Sequence, residues 1–230
     1  MQAIILAGGF GTRLQSVVSN VPKPMAPIGD KPFLAILLDD LEQQGFSHVV
    51  LAVHHLKEKI IDYFSDYDTN LHISYAIEKR PLGTGGAIVN ALQHVDFKKP
   101  IFVINGDTFV ELNYTLMLKQ YMTETADFCM AVHEKQNCSR YGTVIINDDK
   151  NIIAFEHSKQ PSAGLINAGI YLFSYNLLQS FQIDSPFSFE QDFLYPVINQ
   201  IKSTAFLTTG YFIDIGIPED YHQLCSDRAL

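Results

Sequence analysis

Apolar runs and helical patterns alternate along the first half of this chain. Apolar runs at 3–7, 48–53, 71–77 and 101–104 are separated by segments at 32–45, 56–65 and 84–94 with helical spacing. A short apolar run without polar alternation fits a strand buried on both faces, and strands that alternate with helices build a parallel sheet covered by helices. In the segment 32–45, Phe33, Ile36, Leu37 and Leu41 recur at helical spacing and read as core, with Gly45 stopping the helix.

After residue 110 the rhythm changes. Strands at 126–133, 142–147, 151–156 and 165–173 lie close together behind a short helix at 113–121, which predicts a mixed or antiparallel extension of the sheet. Asp148-Asp149-Lys150-Asn151 supplies the residues of a surface hairpin turn. A helix over 188–200 starts at Ser188 with Gln191 as its capping-box partner, and Glu190 reads as a first-turn helix residue rather than a catalytic one. Without linkers, repeats or low-complexity tracts, residues 1–230 read as one domain.

Composition narrows the class. At 230 residues and 47% apolar content the chain can bury a substantial core. A net charge of −9 argues against nonspecific nucleic-acid or anionic-membrane binding, so basic residues are expected to be focused in a site. Cys129, Cys138 and Cys225 are odd in number and widely spaced, which suggests neither a disulfide framework nor a zinc site. Residues 1–14 lack the basic start of a signal peptide, and no stretch approaches a membrane span. A soluble, cytoplasmic protein with reduced thiols is expected; a homo-oligomer is left open.

The apolar run Ala3–Ala7 feeds Gly8-Gly9-Phe10-Gly11-Thr12-Arg13-Leu14, and Val21-Pro22-Lys23-Pro24-Met25 follows. Successive amides of such a loop can converge on phosphate oxygens, and Arg13 and Lys23 bring cations to it; the plainer reading is a tight turn with solvated charges. It is not a dinucleotide fingerprint, because Leu14 holds the third glycine position and the strand 48–53 ends in His54 rather than an acidic residue. The Gly-Lys-Ser/Thr of a Walker loop is absent.

The run resembles the N-terminal motif of the sugar-1-phosphate nucleotidylyltransferases, G-G-x-G-T-R-L followed by P-K-P. Further along, Glu78–Ala87 resembles the family's base-binding loop, Asn105-Gly106-Asp107 its metal-binding strand end, Asn167–Tyr171 its sugar-binding strand, and Phe212–Pro218 its second metal site. The resemblance implies a Rossmann-like α/β fold with a mixed, mainly parallel sheet. It also implies a nucleotide-binding half to about residue 110 and a sugar-phosphate-binding half beyond. The implied reaction is attack of a sugar-1-phosphate oxygen on the α-phosphorus of a nucleoside triphosphate. The nucleophile is already an anion, so the obstacle is electrostatic and the solution is positioning, metal and cations.

By resemblance, Leu6, Ala7, Gly8, Gly9, Gly11 and Thr12 bind the nucleotide, with Glu78, Leu82, Gly83 and Gly86 at the base. A carboxylate at Glu78 can accept from both the N1–H and the N2 amino group of guanine; a surface strand-end residue is the alternative. Arg13 and Lys23 are the catalytic cations, the latter set between two prolines that restrict its backbone. Asp107 and Asp214 hold Mg²⁺, which takes only one or two protein carboxylates; each could instead be a loop or cap aspartate. Asn105, Gly142, Glu156, Lys159 and Asn167 fall to the sugar. Many members carry Glu-Glu-Lys where this chain reads Glu156-His157-Ser158-Lys159, so either a small bulge restores Lys159 or Arg140 takes over the sugar phosphate.

Within the family, the short length and the runs Pro24–Ile28, Pro81–Gly86, Arg140–Thr143 and Gly164–Asn167 most resemble the bacterial D-glycero-α-D-manno-heptose 1-phosphate guanylyltransferases. Those enzymes use GTP to make GDP-heptose for surface polysaccharides. Mannose-1-phosphate guanylyltransferases and N-acetylmuramate-1-phosphate uridylyltransferases are the neighbouring alternatives. A nucleotide-sugar-binding regulatory subunit would lack a metal aspartate or a motif cation, whereas all four residues are present.

Overall fold

The computed structural model describes the chain except residues 10, 15, 19, 157–161, 180, 182–184 and 228–230 and the side chain of Thr12. Its centre is a seven-stranded sheet. In chain order the strands are β1 (Gln2–Leu6), β4 (His48–Val53), β5 (His72–Ile77), β6 (Ile101–Asn105), β8 (Phe128–Lys135), β11 (Gly164–Phe173) and β12 (Ser203–Thr208), and in space β12-β8-β11-β6-β1-β4-β5. The apolar runs of the first half form the parallel block β6-β1-β4-β5, while β11 runs antiparallel to both β6 and β8. The mixed extension expected after residue 110 is therefore β11 with its neighbours. Three two-stranded ribbons complete the strands: β2 (Pro27–Ile28) with β3 (Lys31–Pro32), β7 (Thr108–Val110) with β13 (Phe212–Asp214), and β9 (Thr143–Ile146) with β10 (Ile152–Glu156).

Helices cover both faces of the sheet. On one side α1 (Phe33–Gln43), α2 (Lys57–Phe64) and α4 (Tyr114–Glu124) bury Leu34, Leu37, Leu41, Ile60, Phe64, Tyr114 and Met117. On the other, α3 (Gly83–Ala91) and α5 (Asn176–Gln179) contribute Ala87, Ile88, Ala91, Leu177 and Leu178. Burying these apolar faces stabilises the layers by roughly 1.5–3 kcal/mol for each large side chain. Phe33 belongs to a smaller third cluster, in which α7 (Pro218–Asp227) packs through Tyr221 and Leu224 against Leu14 and Ile215; Ile36 is half-buried beside it. Among the described residues, no helix is long and apolar enough to cross a membrane.

The helix predicted over 188–200 is not one regular helix. Phe189–Leu194 forms a π-helical turn, in which the Tyr195 amide donates to the Glu190 carbonyl, and a short α6 (Tyr195–Val197) follows. Pro196 has no amide hydrogen to give the carbonyl four residues back, so the regular ladder is interrupted there. Ser188 does cap this turn, its Oγ accepting from the Gln191 amide at 3.2 Å, but the reciprocal bond runs from the Ser188 amide to Asp192 Oδ2 at 2.7 Å. The capping partner is Asp192 rather than the Gln191 side chain. The turn at 148–151 leaves Asp148, Asp149 and Lys150 exposed and Asn151 half-buried, with Lys150 in the left-handed region at φ 61°. It also meets the sheet edge, where the Ala205 amide donates to the Lys150 carbonyl at 2.8 Å.

Candidate active site

The carboxyl ends of β1, β4, β5 and β6 lie at one end of the sheet, where open α/β sheets hold their ligands. Antiparallel β11 brings its early residue Asn167 to the same end, because its pairing with β6 starts only at Ile170 opposite Ile104. The β11 register shifts between Asn167 and Tyr171, with Gly169 at φ +73°. A Cβ on Gly169 would sit 2.7 Å from Asn105 Nδ2, so glycine is required for the bulge to pass this side chain.

Three clefts of about 180, 330 and 250 Å³ converge on Asp107. The first is walled by Gly9, Gly11, Arg13, Lys23 and Gly216. Gly11, at φ +58°, packs so closely that a Cβ would meet Lys23 Cβ at 2.8 Å. Lys23 sits in a single tight turn, Lys23–Met25, that Pro22 leads into. Its Nζ donates to Asp107 Oδ2 at 2.5 Å and lies 3.6 Å from Asp214 Oδ1. The two predicted metal carboxylates are thereby tied through one ammonium. Their backbones are joined as well: the Ile215 amide donates to the Asp107 carbonyl at 3.0 Å across the β7–β13 ribbon.

The second cleft is more apolar and runs along Leu6, Gly8, His54, Glu78, Leu82, Gly83 and Asn105. Glu78 is buried rather than a surface strand end. Its Oε2 accepts the Leu82 amide at 3.0 Å, and His54 Nδ1 lies 3.1 Å from its carbonyl oxygen. Burial pushes the Glu78 carboxyl above its ordinary range, against the opposing pull of the Leu82 amide and His54. Ala7 and Gly86 do not line this wall. Ala7 is fully buried with its amide on the Ala52 carbonyl, and a Cβ on Gly86 would meet Ser185 Oγ at 2.3 Å, so this glycine serves packing. Thr12 begins the short turn Thr12–Leu14 beside Arg13.

The third cleft contains Arg13, Lys23, Asn105, Asp107, Arg140, Tyr141, Asn167, Glu190, Tyr195, Phe212 and Asp214. Arg140 bridges two carboxylates, Asp220 Oδ2 at 2.6 Å and Asp214 Oδ2 at 3.1 Å, over the face of Tyr141. Burial works to lower its pKa, but the bond to Asp220 and the nearby negative charges outweigh it and hold it above the ordinary range. Burial, then Asp214, pushes the Tyr141 phenol up to about 12. Phe212 stacks on His133 with ring centroids 5.1 Å apart.

Some of the predicted sugar residues lie off this wall. Gly142 is buried and closes the turn that presents Arg140 and Tyr141, its amide donating to the Cys138 carbonyl at 3.0 Å; it is off the wall itself. Glu156 is exposed at the end of β10, opposite Thr143, and is not on the wall either. Lys159 lies outside the described residues. Glu190, read as a first-turn residue, stands in the cleft with its carboxylate on Asn167 and Tyr171. Pro196 signals only that the regular ladder fails at the Asp192 carbonyl; nothing in the local sequence marks Glu190 as a cleft residue.

Comparison with known proteins agrees with this geometry. The nucleotidyl transferase family model matches residues 2–229. D-glycero-alpha-D-manno-heptose 1-phosphate guanylyltransferase of Campylobacter jejuni is 44% identical over 222 residues, covering 96% of this chain and 97% of its own. The protein of the same name from Aneurinibacillus thermoaerophilus is 42% identical over 223 residues, covering 97% and 96%. HddC from Yersinia pseudotuberculosis, solved in complex with GMP-PN, aligns with a TM-score of 0.88 at 39% identity over 99% of both chains. With a glycine and cation loop leading into paired aspartates at the strand ends, and a match over nearly its whole length, this chain belongs to the nucleotidyl transferase family.

Proposed function

We propose that the protein transfers a guanylyl group from GTP to D-glycero-α-D-manno-heptose 1-phosphate, releasing pyrophosphate and giving GDP-heptose, a precursor suited to surface polysaccharide. The observation that carries this reading is the 44% identity, nearly end to end, to a guanylyltransferase of that name. A sugar-phosphate oxygen forms the new bond to the α-phosphorus as the bond to the bridging oxygen breaks, and its electrons leave with pyrophosphate. No protein base is needed, since the nucleophile is anionic at neutral pH. The protein's task is to bring two anions together in line.

In this reading the Gly8, Gly9 and Gly11 backbone and Arg13 hold the β- and γ-phosphates and Lys23 neutralises the α-phosphate. Arg140, on the third cleft with its planar guanidinium, takes the sugar phosphate. Glu78 Oε1, together with the second lone pair of Oε2, accepts from the guanine edge. Asp107 and Asp214 suit Mg²⁺: both are hard oxygen donors facing the phosphate clefts, and no group of three or more ligating side chains occurs among the described residues. That is the donor set of an ion completed by phosphate and water. When bound, Mg²⁺ supplies charge neutralisation between the reacting phosphates.

The test is a matrix of nucleoside triphosphates against sugar 1-phosphates, scored by Mg²⁺-dependent pyrophosphate release. GTP is expected to exceed UTP in kcat/KM by at least about tenfold, roughly 1.4 kcal/mol, and heptose 1-phosphate to exceed mannose 1-phosphate. A UTP or dTTP preference overturns the guanylyl assignment, equal use of mannose 1-phosphate returns the acceptor to the hexoses, and binding without release makes the protein a nucleotide-sugar sensor.

A further inference from the structure

Glu190 is a carboxylate in a cleft whose cations are suited to phosphate. Two donors converge on one of its oxygens: Asn167 Nδ2 reaches Oε1 at 2.7 Å, and the Tyr171 hydroxyl donates to the same atom. Asn167 is itself oriented, because its Oδ1 accepts the Gly169 amide at 2.9 Å, which turns the NH₂ group toward Glu190. Tyr171 is fully buried; burial, then the Glu190 charge, pushes its phenol well above the ordinary value, so it stays a donor. The donors thus fix the carboxylate and leave Oε2 its acceptor capacity.

The backbone at this position is anchored too. Phe187 exchanges bonds with the loop at the start of α3, its amide to the Leu82 carbonyl and its carbonyl from the Gly85 amide, each at 3.0 Å. The Phe189 amide donates to Thr84 Oγ1 at 2.8 Å. The helix-start functions are filled by Ser188 and Asp192, so Glu190 is not needed for them. The widened π turn carries it into the cleft instead, a device common at functional sites.

We infer that Glu190 is a specificity-determining residue of the acceptor site, its Oε2 accepting a hydrogen bond from a sugar hydroxyl while Asn167 and Tyr171 hold it in place. A carboxylate repels the phosphate end of the acceptor and favours the neutral polyol end, so it also sets the direction in which the acceptor enters. The inference rests on the sugar 1-phosphate reading. Arg140, to which that reading gives the sugar phosphate, stands on the same cleft and supplies the opposite, anion-binding pole.

The experiment compares wild type and Glu190→Gln on the sugar 1-phosphate and on its monodeoxy analogues, at saturating triphosphate. The variant should raise the acceptor KM by about tenfold or more with the triphosphate KM unchanged, the scale of a charge-assisted hydrogen bond. On the one analogue lacking the contacted hydroxyl, wild type should lose as much and Glu190→Gln should lose nothing further. Equal additional losses for the variant on every analogue, or an unchanged acceptor KM, overturns the inference. If Glu190→Gln does not fold, Glu190→Asp carries the same comparison, since it keeps the charge but withdraws the oxygen by one methylene. Failure of the underlying reading is distinct: wild type would then turn over no sugar 1-phosphate at all.

Discussion

At the scale of single residues, Asp107 holds the site together. All three clefts reach it, Lys23 bonds it, and its carbonyl fixes the backbone beside Asp214. Asp214 is braced in turn by the Gly216 amide at 2.7 Å and by Arg140. Neutralising Asp107 takes the nearer carboxylate from Lys23, neutralising Asp214 takes one of two carboxylates from both Lys23 and Arg140, and either change removes a proposed metal ligand. Asp107→Asn and Asp214→Asn should therefore each lower kcat by about 10²-fold or more, the effect of losing a major electrostatic stabiliser, with the melting temperature little changed. Steady-state turnover at fixed Mg²⁺ checks this, and near-normal turnover in either variant removes that residue from the machinery.

At the scale of elements, the start of α3 and the segment 185–189 form one unit. A Cβ on Gly85 would fall 2.0 Å from the Phe187 ring, so this glycine is where the two elements touch most closely. Gly85→Ala should cost about 1–3 kcal/mol through overpacking and lower the melting temperature by roughly 2–10 °C. Leu82 and Gly83 line the second cleft while the segment leads on to Glu190, so KM should rise for both substrates together. Calorimetry with two-substrate kinetics checks it; an unchanged melting temperature would show that the contact yields freely.

At the scale of the molecule, the sheet separates chemistry from a second titrating region. His48 and His72 pair across β4 and β5 at the end opposite the clefts, with ring centroids 4.8 Å apart. Burial, then His72 and His94, lowers the His48 pKa below its ordinary 6.5; burial, then Lys135, lowers that of His133. A depressed histidine stays neutral in the folded state while the unfolded chain takes up a proton. Stability is thus present above about pH 6.5 and declines as pH falls from there toward the folded-state values. The melting temperature should fall on acidification from pH 7 to about 5, and His48→Asn should flatten that slope. An identical slope in the variant would assign the acid sensitivity elsewhere.

Much of this architecture was legible in residues alone. The apolar run at 48–53 is β4 to the residue, and the order of glycine loop, prolines, lysine and aspartates announced phosphate chemistry, because each is a local demand on backbone or charge. Periodicity says which face of an element is buried but not which distant loop it meets. The close approach of Gly86 to Ser185, the exposure of Glu156 at the end of β10 and the burial of Gly142 in the turn behind Arg140 are therefore not visible in the sequence. Glu190 was hidden for the same reason. Its sequence neighbourhood offers a helix start, whereas its position follows from the π turn and from Asn167 and Tyr171 arriving across a bulge in β11. The sequence determined the fold class and the phosphate-facing half, where short segments carry their own constraints. Only the tertiary structure decided the acceptor half, where the contacts that set Glu190 against Asn167 and Arg140 against Asp214 and Asp220 join residues far apart in the chain.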